Sequence, residues 1–217
     1  MIDFNIIHTG SLGNAVVINE VVLIDCGVPF KMLKGVYKKL KLVLLTHIHK
    51  DHFNKETLRR LAYERPTLRF GAPEWLVKNL VDCGVKKKNI DVLKMDWKHN
   101  YRQFEVVPVL LRHNVPNCGY KVHFEHGKMI YATDTNSMDG ITAENYDLYL
   151  IEGNYTEQEI NERIRDKLDN GGFVYEFSVL NNHLSKEKAL DWLYENMGAK
   201  SKYMFIHEHV GRRVKNE

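Results

Sequence analysis

Thr46-His47-Ile48-His49-Lys50-Asp51-His52 is the stretch that decides how this chain is read, and it follows directly on the apolar run Leu42-Val43-Leu44-Leu45. Four consecutive apolar residues have the pattern of a short strand buried on both faces. His47 and His49, at i and i+2 of an extended segment, point to one side. The chain must then turn toward a helix that Asn54 can cap, which carries Asp51 and His52 round to a neighbouring point. Three imidazoles and a carboxylate within six residues are the donors that zinc and similar borderline metals take, at about 2.0–2.2 Å. The alternative is a polar loop that happens to carry histidines. Such a density of donors directly after a buried strand argues against it.

Working outward, Ile2–His8 and Ala15–Ile24 read as β segments, the second bent or split at Asn19-Glu20, with Thr9–Asn14 as the turn between them. Beyond the cluster, Asn54 caps a helix to about Tyr63, and Pro73 opens a second that stops at Gly84. From about Ile90 to Thr133 the pattern returns to strands, including Val106–Leu111. Within it, Tyr120–Phe124 and Met129–Ala132 form a hairpin turned by Glu125-His126-Gly127-Lys128. After the apolar strand Leu148–Ile151, Thr156-Glu157-Gln158-Glu159 is a capping box, and Ile160, Ile164 and Leu168 give its helix an apolar stripe. Ser185 caps a last helix with Ala189, Trp192 and Leu193 inward and Gly198 past its end, and Tyr203–Ile206 is a strand that ends at His207. This order predicts an α/β chain of two face-to-face sheets with helices outside, a four-layer αββα sandwich.

With 217 residues, 44% of them hydrophobic, one domain spanning residues 1–217 is expected. No apolar run approaches the roughly 18 to 20 residues needed to cross a bilayer, and no signal-peptide pattern opens the chain. Cys26, Cys83 and Cys118 form no C-x-x-C pair and read as reduced thiols, so a cytoplasmic location is expected and a membrane partner is not. A formal net charge of +3 permits an anionic substrate without requiring one. The Lys86-Lys87-Lys88 run reads as a solvated turn.

The cluster Thr46–His52 resembles the H-x-H-x-D-H signature of the metallo-β-lactamase-fold hydrolases. Gly10-Ser11-Leu12-Gly13-Asn14 and Leu23-Ile24-Asp25-Cys26-Gly27 are similar to the opening loop and the Asp-bearing strand end of the small YycJ-like branch. Asp25 reads either as a residue steadying the metal loop or as a turn aspartate before Gly27. The resemblance implies two divalent metal ions, zinc or else manganese. His47, His49 and His113 would hold one, Asp51, His52 and His207 the other, and Asp134 would bridge them. His209 competes with His207 for the last position. His8, His99, His123 and His126 are read as structural or surface residues.

Leu150-Ile151-Glu152-Gly153-Asn154-Tyr155 and Asn182-His183-Leu184-Ser185 resemble the Glu and His motifs of the phosphodiesterase branch, which includes the transfer-RNA 3′-processing nucleases. That resemblance makes His183 the acid that protonates the leaving oxygen, with Glu152 orienting it and Asp134 completing the catalytic set. The alternative is a histidine at a helix start and a capping glutamate unconnected in space. YycJ-like relatives are proposed DNA exonucleases, and similarly small phage and bacterial members include the anti-Pycsar proteins, which cleave cyclic mononucleotides and look like homodimers that complete the site across the interface, so the resemblance implies a homodimer. Lacking a long basic arm, the chain is expected to favour the small cyclic phosphodiester over nucleic acid. A protein that sequesters nucleotides without turnover is the reading from another class.

Overall fold

The computed structural model describes residues 2–208, so His209 lies outside the described residues. Its first sheet comprises β1 (Phe4–His8), β2 (Ala15–Ile18), β3 (Val22–Ile24), β4 (Leu42–Leu44), β5 (Arg69–Ala72) and β6 (Ile90–Val92), hydrogen-bonded in that order. The second comprises β7 (His99–Asn100), β8 (Phe104–Leu111), β9 (Asn117–Phe124), β10 (Gly127–Ala132), β11 (Leu148–Glu152) and β12 (Lys202–Ile206), again in sequence order. β3 to β6 run parallel, as do β10, β11 and β12. The helices are α1 (Lys55–Glu64), α2 (Glu74–Asp82), α3 (Glu157–Asp169), α4 (Glu176–Asn182) and α5 (Lys186–Asn196).

β4 shows why its sequence is apolar without alternation. Val43 and Leu45 face the outer layer, where they join Leu58 and Leu61 of α1 and Leu76 and Leu80 of α2. Leu42 and Leu44 face the other way, into the layer shared with Tyr120, Val122, Tyr131 and Leu150 of the second sheet. On the far side of that sheet, Ile130, Ala132, Tyr149 and Ile151 cluster with Ala189, Trp192 and Leu193 of α5. Helix, sheet, sheet and helix layers follow, as the sequence predicts. No helix among the described residues is long and apolar enough to cross a membrane.

Local signals hold where the chain carries them. Asn54 accepts from Thr57 N at 3.1 Å, Ser185 from Lys188 N at 3.2 Å, and the Thr156–Glu159 capping box is formed. Asn19 and Glu20 take left-handed φ of 47° and 60°, splitting the second β segment as expected. Two features differ. Of the α3 stripe only Ile160 is buried, and Leu168 is exposed, because α3 leaves the sheet and packs against α4. α4 itself has no side-chain cap and no sequence signal, and it is docked through buried Glu176, whose carboxylate meets Lys167 Nζ at 2.7 and 2.9 Å.

Gly27 fixes the distance between the first sheet and the metal loop. A Cβ there would lie 1.7 Å from the Asp51 carbonyl oxygen and 2.8 Å from His52 N. Gly27→Ala should therefore push the loop outward and destabilise the fold by about 3 kcal/mol, as forced overpacking does. Denaturant titration measures this. An unchanged midpoint would mean that the loop yields freely.

Candidate metal centre

The parallel strands of both sheets deliver their carboxyl ends to one edge, where irregular backbone can present polar groups without breaking a ladder. His47 follows β4, His113 follows β8, Asp134 follows β10, Glu152 ends β11 and His207 follows β12. After His49 the chain doubles back, with His52 N and Phe53 N donating to His49 O at 2.9 and 2.8 Å. Asp25, Asp134 and His207 all take left-handed φ, between 55° and 59°. Asp and His tolerate that region better than most residues, and it turns each chain end sharply into the site.

Among the described residues the donor atoms converge in four overlapping groups, two of which, sharing no residue, match the two expected ligand sets, while Asp134 joins His47 and His52 in a third and Glu152, His183 and His207 in a fourth. Of the two matching sets, His47, His49 and His113 form one, with His49 Nδ1 and His113 Nε2 only 3.3 Å apart. Asp51, His52 and His207 form the other, with both His52 Nε2 and His207 Nε2 3.4 Å from Asp51 Oδ2. Asp134 lies between them: its Oδ2 is 2.9 Å from His52 Nε2, and its Oδ1 is 3.6 Å from His207 Nε2 and 3.8 Å from His113 Nε2. The structure thus gathers all seven residues expected to bind metal. His8, His99, His123 and His126 enter no such group among the described residues.

The opposite ring nitrogens have partners that fix the tautomers. His52 Nδ1 donates to Asp25 Oδ2 at 2.6 Å, His113 Nδ1 to Asn182 O at 3.1 Å and His207 Nδ1 to Glu152 Oε1 at 3.2 Å. Thr46 donates its hydroxyl to Asp25 and so accepts from His47 Nδ1 at 2.9 Å. Each arrangement leaves the Nε2 lone pair turned to the cluster, as metal-ligating histidines require.

Charge in the site is arranged in the same sense. Burial, helped by the His52 imidazole, holds His47 well below the usual histidine range, so it is neutral at pH 7. Its Nε2 is buried with no hydrogen-bond partner, a lone pair that a divalent cation would satisfy. Burial opposes ionisation of Asp51, but hydrogen bonds from His207 and His52 outweigh it and keep the carboxylate ionised. Burial likewise opposes charge on His207, yet Asp134, Asp51 and Glu152 together raise it to about 10. A neutral His47 with an unsatisfied buried nitrogen, and carboxylates that hold positive charge at His207 and His52 where a cation would sit, fit two divalent ions.

Glu152 and His183 are joined, not separate. Fully buried Glu152 accepts from His183 Nδ1 at 2.7 Å through Oε1, while its Oε2 takes Thr135 N at 2.9 Å. Burial disfavours the imidazolium, but the Glu152 hydrogen bond and charge override this and raise His183. His183 opens on a cleft of about 330 Å³ floored by His49, Asp51, His113, Asp134 and His207. Tyr175, Ser178, Val179 and Asn182, on and before α4, make one wall, and Ser11 of the opening loop also lines it.

Residues 21–207 match the beta-lactamase superfamily domain. The chain belongs to that superfamily. The metallo-beta-lactamase fold protein YhfI from Bacillus subtilis aligns over 97% of this chain and 88% of its own, with TM-score 0.74 and 17% identity. The short form of human tRNase Z aligns over 96% and 93%, with TM-score 0.68 and 15% identity. Zinc-bound PqqB from Methylobacterium extorquens aligns over 96% and 89%, with TM-score 0.71 and 11% identity. No curated protein matches the chain by sequence. At these identities the structural relatives establish a shared metallo-beta-lactamase fold.

For a member of this superfamily, the supporting residues were the part least visible in sequence. Asn14, buried in the opening loop, places Nδ2 at 2.8 Å from His52 Nε2 and donates its backbone N to Asp51 O at 2.6 Å. Asn154 Nδ2 donates to His207 O at 2.8 Å, and Tyr131 OH donates to Asp25 Oδ2 at 3.1 Å. Asn14 and Asn154 had appeared in the motifs, but nothing local assigns their partners. Asp25 resolves into both of its readings: it turns the chain at φ 59° and also binds His52 and Thr46. Asp25→Asn should therefore lower metal affinity roughly 10- to 100-fold. Competition with a chromophoric chelator measures that change, and unaltered affinity would reduce Asp25 to a turn residue.

Proposed function

We propose that the chain is a two-metal phosphodiesterase acting on a small nucleotide, a 3′,5′-cyclic mononucleotide in preference to a polynucleotide. The observation that carries this reading is the 2.7 Å contact between buried Glu152 and His183, opening on the same cleft as the metal-ligand candidates. Two divalent ions held by His47, His49 and His113 and by Asp51, His52 and His207, with Asp134 between them, would supply charge neutralisation of phosphate oxygens and an activated water. His183, held through Nδ1, has Nε2 for the departing sugar oxygen and gives it a proton. Glu152 is a positioning residue, aligning the imidazole and balancing its charge.

A cleft of about 330 Å³ falls at the small-molecule end of the range of ligand sites. A net charge of +3 is small for a protein that tracks a polynucleotide by its phosphates. Among structural relatives, a diphosphatase from the PhnP family aligns over 96% of this chain and 87% of its own, with TM-score 0.65 and 16% identity. Its name and that of the tRNase are in keeping with phosphate-ester chemistry.

The test is incubation of zinc- or manganese-loaded protein with the four 3′,5′-cyclic mononucleotides and, separately, with linear single- and double-stranded DNA, followed by chromatography. Linear monophosphates with DNA intact are expected. Nucleotides released from DNA, with the cyclic compounds untouched, would make the protein a nuclease. A bound cyclic nucleotide recovered unchanged would make it a sequestering protein.

A further inference from the structure

Beyond His113 the metal cleft continues into a second recess of about 440 Å³, the two sharing His113, Asn114 and Asn182 as lining residues. Its composition differs from that of the cleft. Val115, Pro116 and buried Leu111 give it apolar surface, while Asn114, Asn136, Asn181 and Asn182 supply side-chain amides. No carboxylate lines it, and its Arg112 Nη1 lies 3.5 Å from Asp139 Oδ2. Apolar surface edged by amides is the chemistry that recognises a nucleobase, whose faces want contact and whose edges offer paired donors and acceptors.

The recess is assembled by three cross-links between segments distant in sequence. Asn136 Nδ2 donates to Asn181 O at 2.6 Å, Asn136 N to Arg112 O at 3.1 Å, and His113 Nδ1 to Asn182 O at 3.1 Å. These tie together the turn after β8, the turn after β10 and the end of α4, so the walls are set before a ligand arrives. The side-chain amides of Asn114 and Asn181 contribute to none of this. Both residues are exposed, and neither amide has a hydrogen-bond partner among the described residues.

We infer that this recess is the base-reading subsite, in which Asn114 and Asn181 hydrogen-bond the edge of a nucleobase whose phosphate occupies the adjoining metal cleft. The inference rests on the phosphodiesterase reading for the identity of the ligand. Its consequence is base preference: amides placed at one rim satisfy some donor and acceptor patterns and leave others unpaired. Neither asparagine belongs to the metal-binding or proton-transfer set, and Asn181 does not line the metal cleft, so substitution of Asn181 should change recognition and leave the phosphate site as it is.

The test needs no turnover. Zinc-loaded protein is titrated calorimetrically with each of the four nucleoside 5′-monophosphates and with ribose 5-phosphate, which carries the phosphate and sugar alone. At least one nucleotide should bind about tenfold more tightly than ribose 5-phosphate, the worth of one to two net hydrogen bonds with apolar contact. Asn181→Ala should lose most of that margin while keeping the ribose 5-phosphate affinity, which also reports an intact fold. Asn114→Asp, which replaces a donor with an acceptor, should alter the order of preference among bases. Equal affinity for nucleotides and ribose 5-phosphate, including no measurable binding of either, would overturn the subsite, as would an Asn181→Ala protein that binds nucleotides like the parent. Failure of the phosphodiesterase reading is a separate result, seen as intact phosphodiesters in the chromatographic assay whatever the titration shows.

Discussion

Asp134→Ala and His49→Ala should each lose metal and hydrolysis together, with turnover falling at least roughly 10³-fold. Asp134 is the residue between the two donor groups, within 2.9 Å of His52 and 3.8 Å of His113, so its removal takes a charge from both sites at once. His49 belongs to one group only, where it meets His113 at 3.3 Å. Loss of that imidazole should empty one site first and leave partial occupancy of the other. The magnitude follows from the several kcal/mol that a Lewis acid contributes to phosphoryl chemistry, at about 1.36 kcal/mol per decade of rate. Metal content by plasma emission spectrometry alongside initial rates decides the matter. A purified Asp134→Ala protein that keeps two metals and its rate would place the chemistry elsewhere.

His183→Ala is the complementary experiment, because it should separate the two quantities that Asp134→Ala removes together. His183 lies outside the His47, His49, His113 and the Asp51, His52, His207 sets; it gathers instead with Asp134, Glu152 and His207, its Nδ1 held by Glu152 at 2.7 Å. Metal content should therefore stay at the parent level while turnover of a nucleotide phosphodiester falls about 10²- to 10⁴-fold, the usual worth of a positioned general acid. The deficit should shrink on a p-nitrophenyl phosphodiester, since a phenolate departs without being protonated. Equal losses on both substrates would indicate that His183 binds the phosphate and does not deliver a proton. Parent rates on both would remove it from the mechanism.

How much of this was legible beforehand depends on the range over which each feature is encoded. The buried strand Leu42–Leu45 and the donors that follow it were readable, because alternation, helix capping and the i, i+2 geometry of an extended segment act within a few residues. The helix starts at Asn54, Thr156 and Ser185 were readable for the same reason. α4 was not: its seven residues carry no cap, and it is held by Glu176 meeting a lysine on α3. The exposure of Leu168 belongs to the same region, where a good amphipathic pattern found no sheet to cover it.

For the site, the sequence and its resemblance to the metallo-β-lactamase-fold hydrolases determined which side chains could serve, since imidazole and carboxylate chemistry is local to each residue and His113, Asp134, Glu152 and His207 each fall at a strand end. Their convergence was decided only by the tertiary structure. Parallel register sets Ala132 beside Ile151, and Glu152 beside Ile206, so the segments carrying Asp134, Glu152 and His207 emerge along one sheet edge. Apposition of the two sheets through their shared apolar layer then brings that edge to the Thr46–His52 loop, and the space Gly27 leaves open lets Asp51 approach. A residue spacing specifies the direction of a side chain over one turn or one strand. The distance between strand ends more than eighty residues apart is specified by strand pairing and by burial of the layer between the sheets, which no local pattern encodes.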